Sequence, residues 1–153
     1  MIAAEHLRER QIDAIYSSDL IRARSTAEIA LPGCKYETTP MIREINVGNV
    51  AGKPLNTVIN SDGVYLNKDG YAVFGGETYQ EFSDRVAAFM KMLESENCEN
   101  IAAFSHGGFV RKFLELVIET QIPRKNIYSG TCVVAIFEYC NKTWRLYSWI
   151  NLI

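Results

Sequence analysis

The chain has 153 residues, 48% of them hydrophobic and 22% charged, which predicts a single globular domain over residues 1–153 with a core of its own. Its net charge is −2 without a basic cluster, so neither nucleic acid nor a membrane surface is expected as a partner. The longest apolar runs, such as CVVAIF at 132–137, are too short to span a bilayer, and the N-terminal MIAAEHLRER lacks the pattern of a signal peptide.

The cysteines and histidines give no support for metal chemistry. The four cysteines form no CxxC pair and have no metal-binding spacing; they are Cys34, Cys98, Cys132 and Cys140. Without a secretion signal they are expected to be reduced thiols in the cytoplasm. The chain has two histidines and no HExxH motif, so we expect no metal and no other cofactor. A GxSxG motif is also absent, so Ser105 is not interpreted as a hydrolase nucleophile.

The first third of the chain alternates helical and strand patterns. Apolar positions on one side of residues 2–10 predict a helix, and IDAIYSS at 12–18 predicts a strand. A second helix follows, with Ser18 or Asp19 as its N-cap, and it ends at Pro32 and Gly33.

The middle of the chain is less regular. Residues 34–45 are interpreted as irregular structure or a short edge strand. Residues 46–76 are rich in Gly, Asn and Asp and predict a long loop with short helical pieces, a type of segment that often serves as a lid or binding loop. Its aromatic side chains could contact a substrate or could pack the loop onto the domain; they are Tyr65, Tyr71 and Phe74.

Regular structure resumes at Thr78. Thr78 and Glu81 have the spacing of a capping box, and an apolar helical face follows. IAAFS at 101–105 predicts a buried strand, and the apolar positions of 109–120 predict another helix. The β-rich runs 132–139 and 143–150 predict an antiparallel hairpin.

This alternation of strands and helices predicts a mostly parallel sheet with helices on both faces. The carboxyl ends of neighbouring parallel strands lie at the same edge of a sheet, which is where open α/β folds bind ligands. The turns after Ser18 and Ser105 are therefore expected to open onto one shared rim.

Each of these two turns leads into a helix, whose N-terminal amides attract anions. Arg22 adds a guanidinium in the first turn of one helix, and His106 adds a titratable ring before the other. Together they indicate a pocket for a phosphoryl group. From the residues alone Arg22 could equally be a surface residue of an amphipathic helix, and His106 could simply cap or pack.

Four segments in order resemble the histidine phosphatase superfamily, which is also called phosphoglycerate mutase-like. They are IYSSDLIRARSTAEI, MIREINVG, FGGETYQEFSDRV and AAFSHGGFVRKFL, and the resemblance covers nearly the whole chain. It implies a three-layer α/β/α fold, a small phosphorylated substrate, and chemistry that requires no metal.

The resemblance also implies roles for individual residues. Arg22 matches the arginine that binds the transferring phosphoryl group, and Glu44 matches the general acid that protonates the leaving oxygen. His106 matches the second active-site histidine, which holds phosphoryl oxygens, and Gly107 lets the backbone approach the phosphate.

A Gly-Glu-Thr segment of the family lines the mouth of the pocket. Gly76, Glu77 and Thr78 match it. An acidic residue that merely favours the dipole of the following helix is an equally good interpretation of Glu77.

One family element has no counterpart in this sequence. The nucleophile of the family is a histidine in an Arg-His-Gly motif at the end of the first strand, and no Arg-His-Gly occurs here. His6 does not replace it, because His6 lies in a polar helical pattern. We therefore expect the first strand to be missing and turnover by these 153 residues to be negligible.

The resemblance implies that the missing family strand lies centrally, between the strands at 12–18 and 101–105. Its absence would leave two strand edges unpaired. A shortened gene product, a misplaced start or a homodimer that fills the gap would each account for this.

The function that the resemblance implies is hydrolysis of phosphomonoesters through a phosphohistidine when the site is complete. The alternatives are a phosphoglycerate mutase-type phosphotransferase and a non-catalytic module that binds phosphate or phosphorylated partners. Mutases of the family usually carry a longer insertion between the positions that match Glu44 and His106, so the resemblance favours a phosphatase over a mutase. A nucleotide-binding domain has no support, because neither GxGxxG nor GxxxxGK occurs.

Overall fold

A computed structural model describes residues 7, 10–54, 69–123, 126–127 and 132–151. The predicted helix at 2–10 and the centre of the 46–76 loop fall largely outside these residues. In the part of the chain that is described, no helix is long and apolar enough to cross a membrane.

Three short strands form a parallel sheet with the order β2-β1-β3. The central strand is β1 (Ala14–Ser18), flanked by β2 (Glu37–Thr39) and β3 (Ile101–Phe104). The last three residues of β1 are buried, as expected of a parallel strand that is covered on both faces. β2 is the short edge strand that the sequence left open as a possibility.

The expected position of the missing strand is wrong. β1 and β3 are hydrogen-bonded neighbours in four consecutive positions, from Ala14 opposite Ile101 to Ser17 opposite Phe104. Their backbone groups satisfy each other, so no gap separates them. A homodimer that fills a gap between these two strands is thereby ruled out, and a homodimer through any other edge stays a prediction.

Helices lie on both faces of the sheet, as predicted. Helix α1 (Ile21–Ala30) contacts β1 and β3 and buries only alanines, so that it can lie close to the sheet. On the other face, α2 (Tyr79–Ser95) and α3 (Gly107–Val117) enclose the main core. The buried members of this core are Tyr16, Ile42, Phe82, Val86, Phe89, Met90, Phe109 and Phe113.

The ends of the helices test the predicted caps. The capping box is confirmed: the Glu81 amide donates to Thr78 Oγ1 at 3.0 Å, and the Thr78 amide donates to Glu81 Oε2 at 2.8 Å. The predicted cap of α1 is wrong, because Leu20 is its N-cap and has no side-chain hydrogen bond. Ser18 instead accepts the Leu20 amide at 3.3 Å.

The predicted hairpin consists of β4 (Val133–Cys140) and β5 (Thr143–Asn151), which form a separate antiparallel sheet. The two turn residues, Asn141 and Lys142, have φ values of 51° and 62°, as a tight hairpin turn requires. Phe137 and Trp144 pack against the Phe113 ring of α3. These contacts attach the hairpin to the helical layer.

In the described parts of the loop, the predicted short helical pieces are the 3₁₀ turns Gly48–Val50 and Ala72–Phe74. They meet at Gly48, where φ is 60° and an added Cβ would overlap the backbone of Phe74. Glycine is therefore required at this position. Tyr71 is 6% exposed and packs with Val50, so this aromatic side chain packs the loop together, while Tyr65 lies outside the described residues.

Truncation of Phe89 tests the core. This side chain is 1% exposed and makes edge-to-face contacts with Tyr16 and Phe109. We expect Phe89→Ala to lower the free energy of unfolding by about 3–5 kcal/mol, measured by urea denaturation. Ile29→Ala on the exposed side of α1 is the control and should change it by less than about 0.5 kcal/mol. Similar losses in both variants would contradict this assignment of the core.

Candidate active site

The adjacency of β1 and β3 determines where the polar side chains meet. Ser18 ends β1 and is fully buried, and His106 follows β3 as the N-cap of α3. Because the strands are parallel neighbours, both residues lie at the same edge of the sheet. The shared rim that the sequence predicted is therefore present.

His106 is held through both nitrogens of its ring. Arg22 Nε donates to His106 Nδ1 at 3.0 Å, and His106 Nε2 lies 2.9 Å from Ser18 Oγ. A guanidinium can only donate, so Nδ1 must be unprotonated in this arrangement. The ring proton of the neutral imidazole is therefore on Nε2, which donates to Ser18 Oγ.

The electrostatic surroundings of His106 favour this neutral form. The ring is 8% exposed, and burial lowers its pKa below the ordinary value, with a further lowering by the Arg22 charge. Glu44 and Asp19 raise the pKa, and Arg85 lowers it, without reversing the direction. The result is a neutral imidazole beside an exposed guanidinium at neutral pH.

Glu44 lies against the start of α3. Its Oε2 accepts the Gly108 amide at 3.0 Å, and its Oε1 accepts the Ile45 amide at 3.0 Å. A Cβ on Gly108 would overlap this carboxylate, so the close approach requires glycine. Gly107, the first residue of α3, contributes one of the amides that lack an acceptor within the helix.

The Gly-Glu-Thr segment is engaged in contacts of its own. Glu77 receives hydrogen bonds from Arg85 Nε and Nη2, both at 2.8 Å, and from the Asn46 amide at 2.7 Å. Burial raises the pKa of Glu77, but these hydrogen bonds outweigh it and hold the pKa below the usual range. Thr78 caps α2, and Gly76 packs against Asn46 and Gly48 without room for a Cβ.

The Glu77–Arg85 pair fixes the segment that carries Glu44. Arg85 donates to the carbonyl oxygens of Met41 at 2.8 Å, Arg43 at 3.0 Å and Glu44 at 3.4 Å. Glu77 binds the Asn46 amide at the other end of the same segment. The pair thus secures residues 41–46 at both ends.

Sequence reasoning missed several residues of this arrangement. Ser18 was interpreted as a helix cap, although its hydroxyl contacts the His106 ring. Arg43 forms a two-point ion pair with Asp19, with 2.6 Å between Arg43 Nε and Asp19 Oδ1, and it joins the Glu44 segment to the turn before α1. Arg85 lies within the segment FGGETYQEFSDRV but was given no role, because its backbone acceptors lie more than 40 positions away. Only the tertiary structure reveals these contacts.

The site therefore places three groups that can bind an anion beside one carboxylate. The three are the exposed Arg22 guanidinium, the His106 ring and the first amides of α3, and the carboxylate is that of Glu44. Fixed donors of this kind bind phosphoryl oxygens, and a nearby carboxyl group can exchange a proton with a leaving oxygen. Arg22, His106, Glu44 and Gly107 converge on this rim, while Gly76, Glu77 and Thr78 support the neighbouring segment.

Comparisons with known proteins agree with this architecture. Residues 2–152 match the family model "Histidine phosphatase superfamily (branch 1)". The chain is 26% identical over 160 residues to "Probable phosphoglycerate mutase GpmB" of Salmonella paratyphi A, covering 98% of this chain and 74% of that protein.

Solved structures share the fold. An alpha-ribazole phosphatase from Shigella flexneri superposes with a TM-score of 0.72 at 20% identity, covering 94% of this chain and 76% of that one. A phosphoglycerate mutase from Bacillus anthracis superposes with a TM-score of 0.76 at 20% identity, covering 95% and 75%.

The lowered pKa of His106 makes stability depend on pH. Below the ordinary histidine pKa of about 6.5, the unfolded chain takes up a proton that the folded site resists, so stability falls as the pH falls. We expect the free energy of unfolding to decrease more steeply between about pH 7.5 and 5.5 for the wild-type chain than for His106→Gln. Denaturant titrations at several pH values across this range measure the free energy of unfolding of both chains. Equal slopes would show that folding leaves the proton affinity of His106 unchanged.

Proposed function

The chain belongs to the histidine phosphatase superfamily, and from this premise we propose that its Arg22–His106 rim binds the phosphoryl group of a small phosphomonoester. One observation carries the proposal: Arg22 Nε and His106 Nδ1 lie 3.0 Å apart at the mouth of the rim. A phosphoryl oxygen can accept the Arg22 hydrogen bond in place of Nδ1, and it can accept from Nδ1 once that nitrogen carries a proton. Arg22 then contributes a planar donor suited to two phosphoryl oxygens.

The start of α3 completes the proposed phosphate site. Its first amides point toward the rim, and the Gly107 amide is one of them. Because Gly107 has no side chain, a ligand can approach its amide closely, while the Gly108 amide already donates to Glu44. Fixed backbone donors require no rearrangement when charge moves onto the phosphoryl oxygens, which is the main protein contribution to phosphoryl transfer.

Glu44 is proposed as the general acid. Its carboxyl group is anchored by the Gly108 and Ile45 amides, at the same helix start that would hold the phosphate. A protonated Glu44 would give its proton to the ester oxygen as the phosphorus–oxygen bond breaks, so that the product leaves as an alcohol. The Glu77–Arg85 pair, which fixes residues 41–46, supports this placement rather than direct contact with substrate.

The reaction in a complete site is hydrolysis through a phosphohistidine, in which water releases the phosphoryl group from a nucleophilic histidine. His106 is poorly suited to that role, because both its nitrogens are engaged, by Arg22 and by Ser18. Since the 153 residues contain no Arg-His-Gly, we propose that they bind phosphate but turn over phosphomonoesters at a negligible rate.

A phosphoglycerate mutase-type activity is the second candidate, supported by the name of the Salmonella relative. The alpha-ribazole phosphatase among the structural neighbours supports hydrolysis instead. A binding-only role fits the assembled phosphate rim together with the absence of Arg-His-Gly. All three functions share a small phosphorylated ligand at the same rim, so binding is tested first.

Phosphate binding tests the role of Arg22. Loss of a charge-assisted hydrogen bond costs about 1.5–3 kcal/mol, so Arg22→Gln should weaken binding of inorganic phosphate by about ten- to hundredfold in calorimetric titrations. Arg145→Gln, which removes an exposed arginine from β5, is the matched control and should leave the affinity unchanged. Equal affinities in the two variants would overturn the assignment of the rim as the phosphate site.

Hydrolysis of para-nitrophenyl phosphate tests the catalytic part. We expect no turnover above background from residues 1–153, with or without His106→Ala. Turnover that disappears in His106→Ala would show that these residues already contain a working nucleophile and would contradict the proposal. A chain extended at the N-terminus by a strand ending in Arg-His-Gly should gain hydrolysis if the function is a phosphatase, and should stay inactive if it is a binding module.

A further inference from the structure

Ser18 has a contact that the proposed function does not yet use. It is the last residue of β1 and fully buried, and its Oγ lies 2.9 Å from His106 Nε2. The same oxygen accepts the Leu20 amide at 3.3 Å. Ser18 Oγ is therefore an acceptor fixed by the backbone at the point where β1 turns into α1.

The partners of the ring determine which nitrogen carries the proton. Arg22 has no acceptor, so its contact with Nδ1 requires a lone pair there, and the proton must lie on Nε2. Ser18 Oγ receives that proton in the buried part of the ring, away from the exposed guanidinium. If this hydroxyl were removed, the buried Nε2–H would lose its acceptor, and the Nε2–H tautomer would become less favourable.

We propose that Ser18 is a positioning residue that holds His106 as the Nε2–H tautomer, so that Nδ1 is the nitrogen presented to a phosphoryl oxygen beside Arg22. This inference rests on the proposed function of the rim as a phosphate site. In this inference Ser18 orients the His106 ring. The hydrogen bond from Arg22 to Nδ1 is present only without ligand and is replaced when a phosphoryl group binds.

Anion binding then requires a proton. A phosphoryl oxygen only accepts hydrogen bonds, so Nδ1 must gain a proton, from solvent or from a phosphate monoanion, before it can donate to the ligand. The charged groups around the ring are balanced in sign: Arg22 and Arg85 disfavour the imidazolium, while Glu44 and Asp19 favour it. The negative charge of a bound anion also favours the imidazolium form of His106. The protonated ring would still donate from Nε2 to Ser18.

Nuclear magnetic resonance of the imidazole nitrogens tests this directly, because the sequence has only two histidines. Long-range proton–nitrogen spectra distinguish the two neutral tautomers and the imidazolium, and a His6→Gln variant assigns the signals of His106. For the wild-type chain without anion at pH 8 we expect neutral His106 with its proton on Nε2. Saturating inorganic phosphate should shift it to the imidazolium.

The comparison of variants isolates Ser18. Ser18→Ala should give a mixture of the two neutral tautomers and weaken phosphate binding by about three- to tenfold, the effect of one lost hydrogen bond. Ser17→Ala is the matched control, because Ser17 is equally buried on the same strand but donates to the Ser18 carbonyl rather than to His106. It should keep the Nε2–H tautomer and the wild-type affinity. Ser18→Cys, similar in volume but a weak acceptor, serves if Ser18→Ala does not fold.

The outcomes separate this inference from the proposed function. A proton on Nδ1 in the wild-type chain, or identical tautomer spectra in the Ser18 and Ser17 variants, would overturn the role of Ser18 even if phosphate binds tightly. Wild-type spectra that do not respond to phosphate would overturn the phosphate site, while the tautomer comparison, which needs no ligand, would still decide whether Ser18 orients the ring.

Discussion

The direct pairing of β1 with β3 is the contact on which the arrangement of the site depends. Four consecutive residues of each strand are in register, and both strands run in the same direction. The turns that follow them are therefore adjacent, although they are separated by more than 80 positions in the sequence. A shift of this register would move the His106 ring away from both Ser18 and Arg22. The strand register thus sets the geometry of the rim.

A second set of contacts brings the carboxylate to that rim. Glu44 lies on a segment without regular hydrogen bonding, so its position must come from side chains elsewhere. Glu77, just before α2, and Arg85, within α2, supply these contacts, and the ion pair of Arg43 with Asp19 joins the same segment to the turn before α1. These charged side chains form hydrogen bonds with backbone amides and carbonyls of the segment. Half-buried backbone groups without such partners would lower the stability of the folded chain. Structural and functional charges are therefore neighbours in this molecule.

Local patterns were sufficient for much of the fold. The capping box at Thr78, the apolar face of α2 and the hairpin turn depend on residues close in sequence, and each was predicted. Strand order does not depend on nearby residues, which is why the missing strand was placed between two strands that are in fact paired.

The same distinction applies to the site. Arg22 and His106 were singled out because each lies in a strand-to-helix turn, a local feature. Ser18 and Arg85 were missed because their importance comes from partners far along the chain. A serine at the end of a strand looks like an ordinary cap, and an arginine within a helix looks like a solvated one.

The hairpin of β4 and β5 has a consequence for motion. None of its seventeen strand residues is fully buried, and among the described residues it forms no hydrogen-bonded ladder with the three-stranded sheet. The contacts that attach it include the packing of two aromatic rings on Phe113 and a hydrogen bond from Trp144 to Glu94. A unit held this way can open while β1, β3 and their helices remain folded. Amide hydrogens of the hairpin would then exchange with solvent faster than those of β1. The contacts of the Arg22–His106 rim would stay intact while the hairpin is locally unfolded.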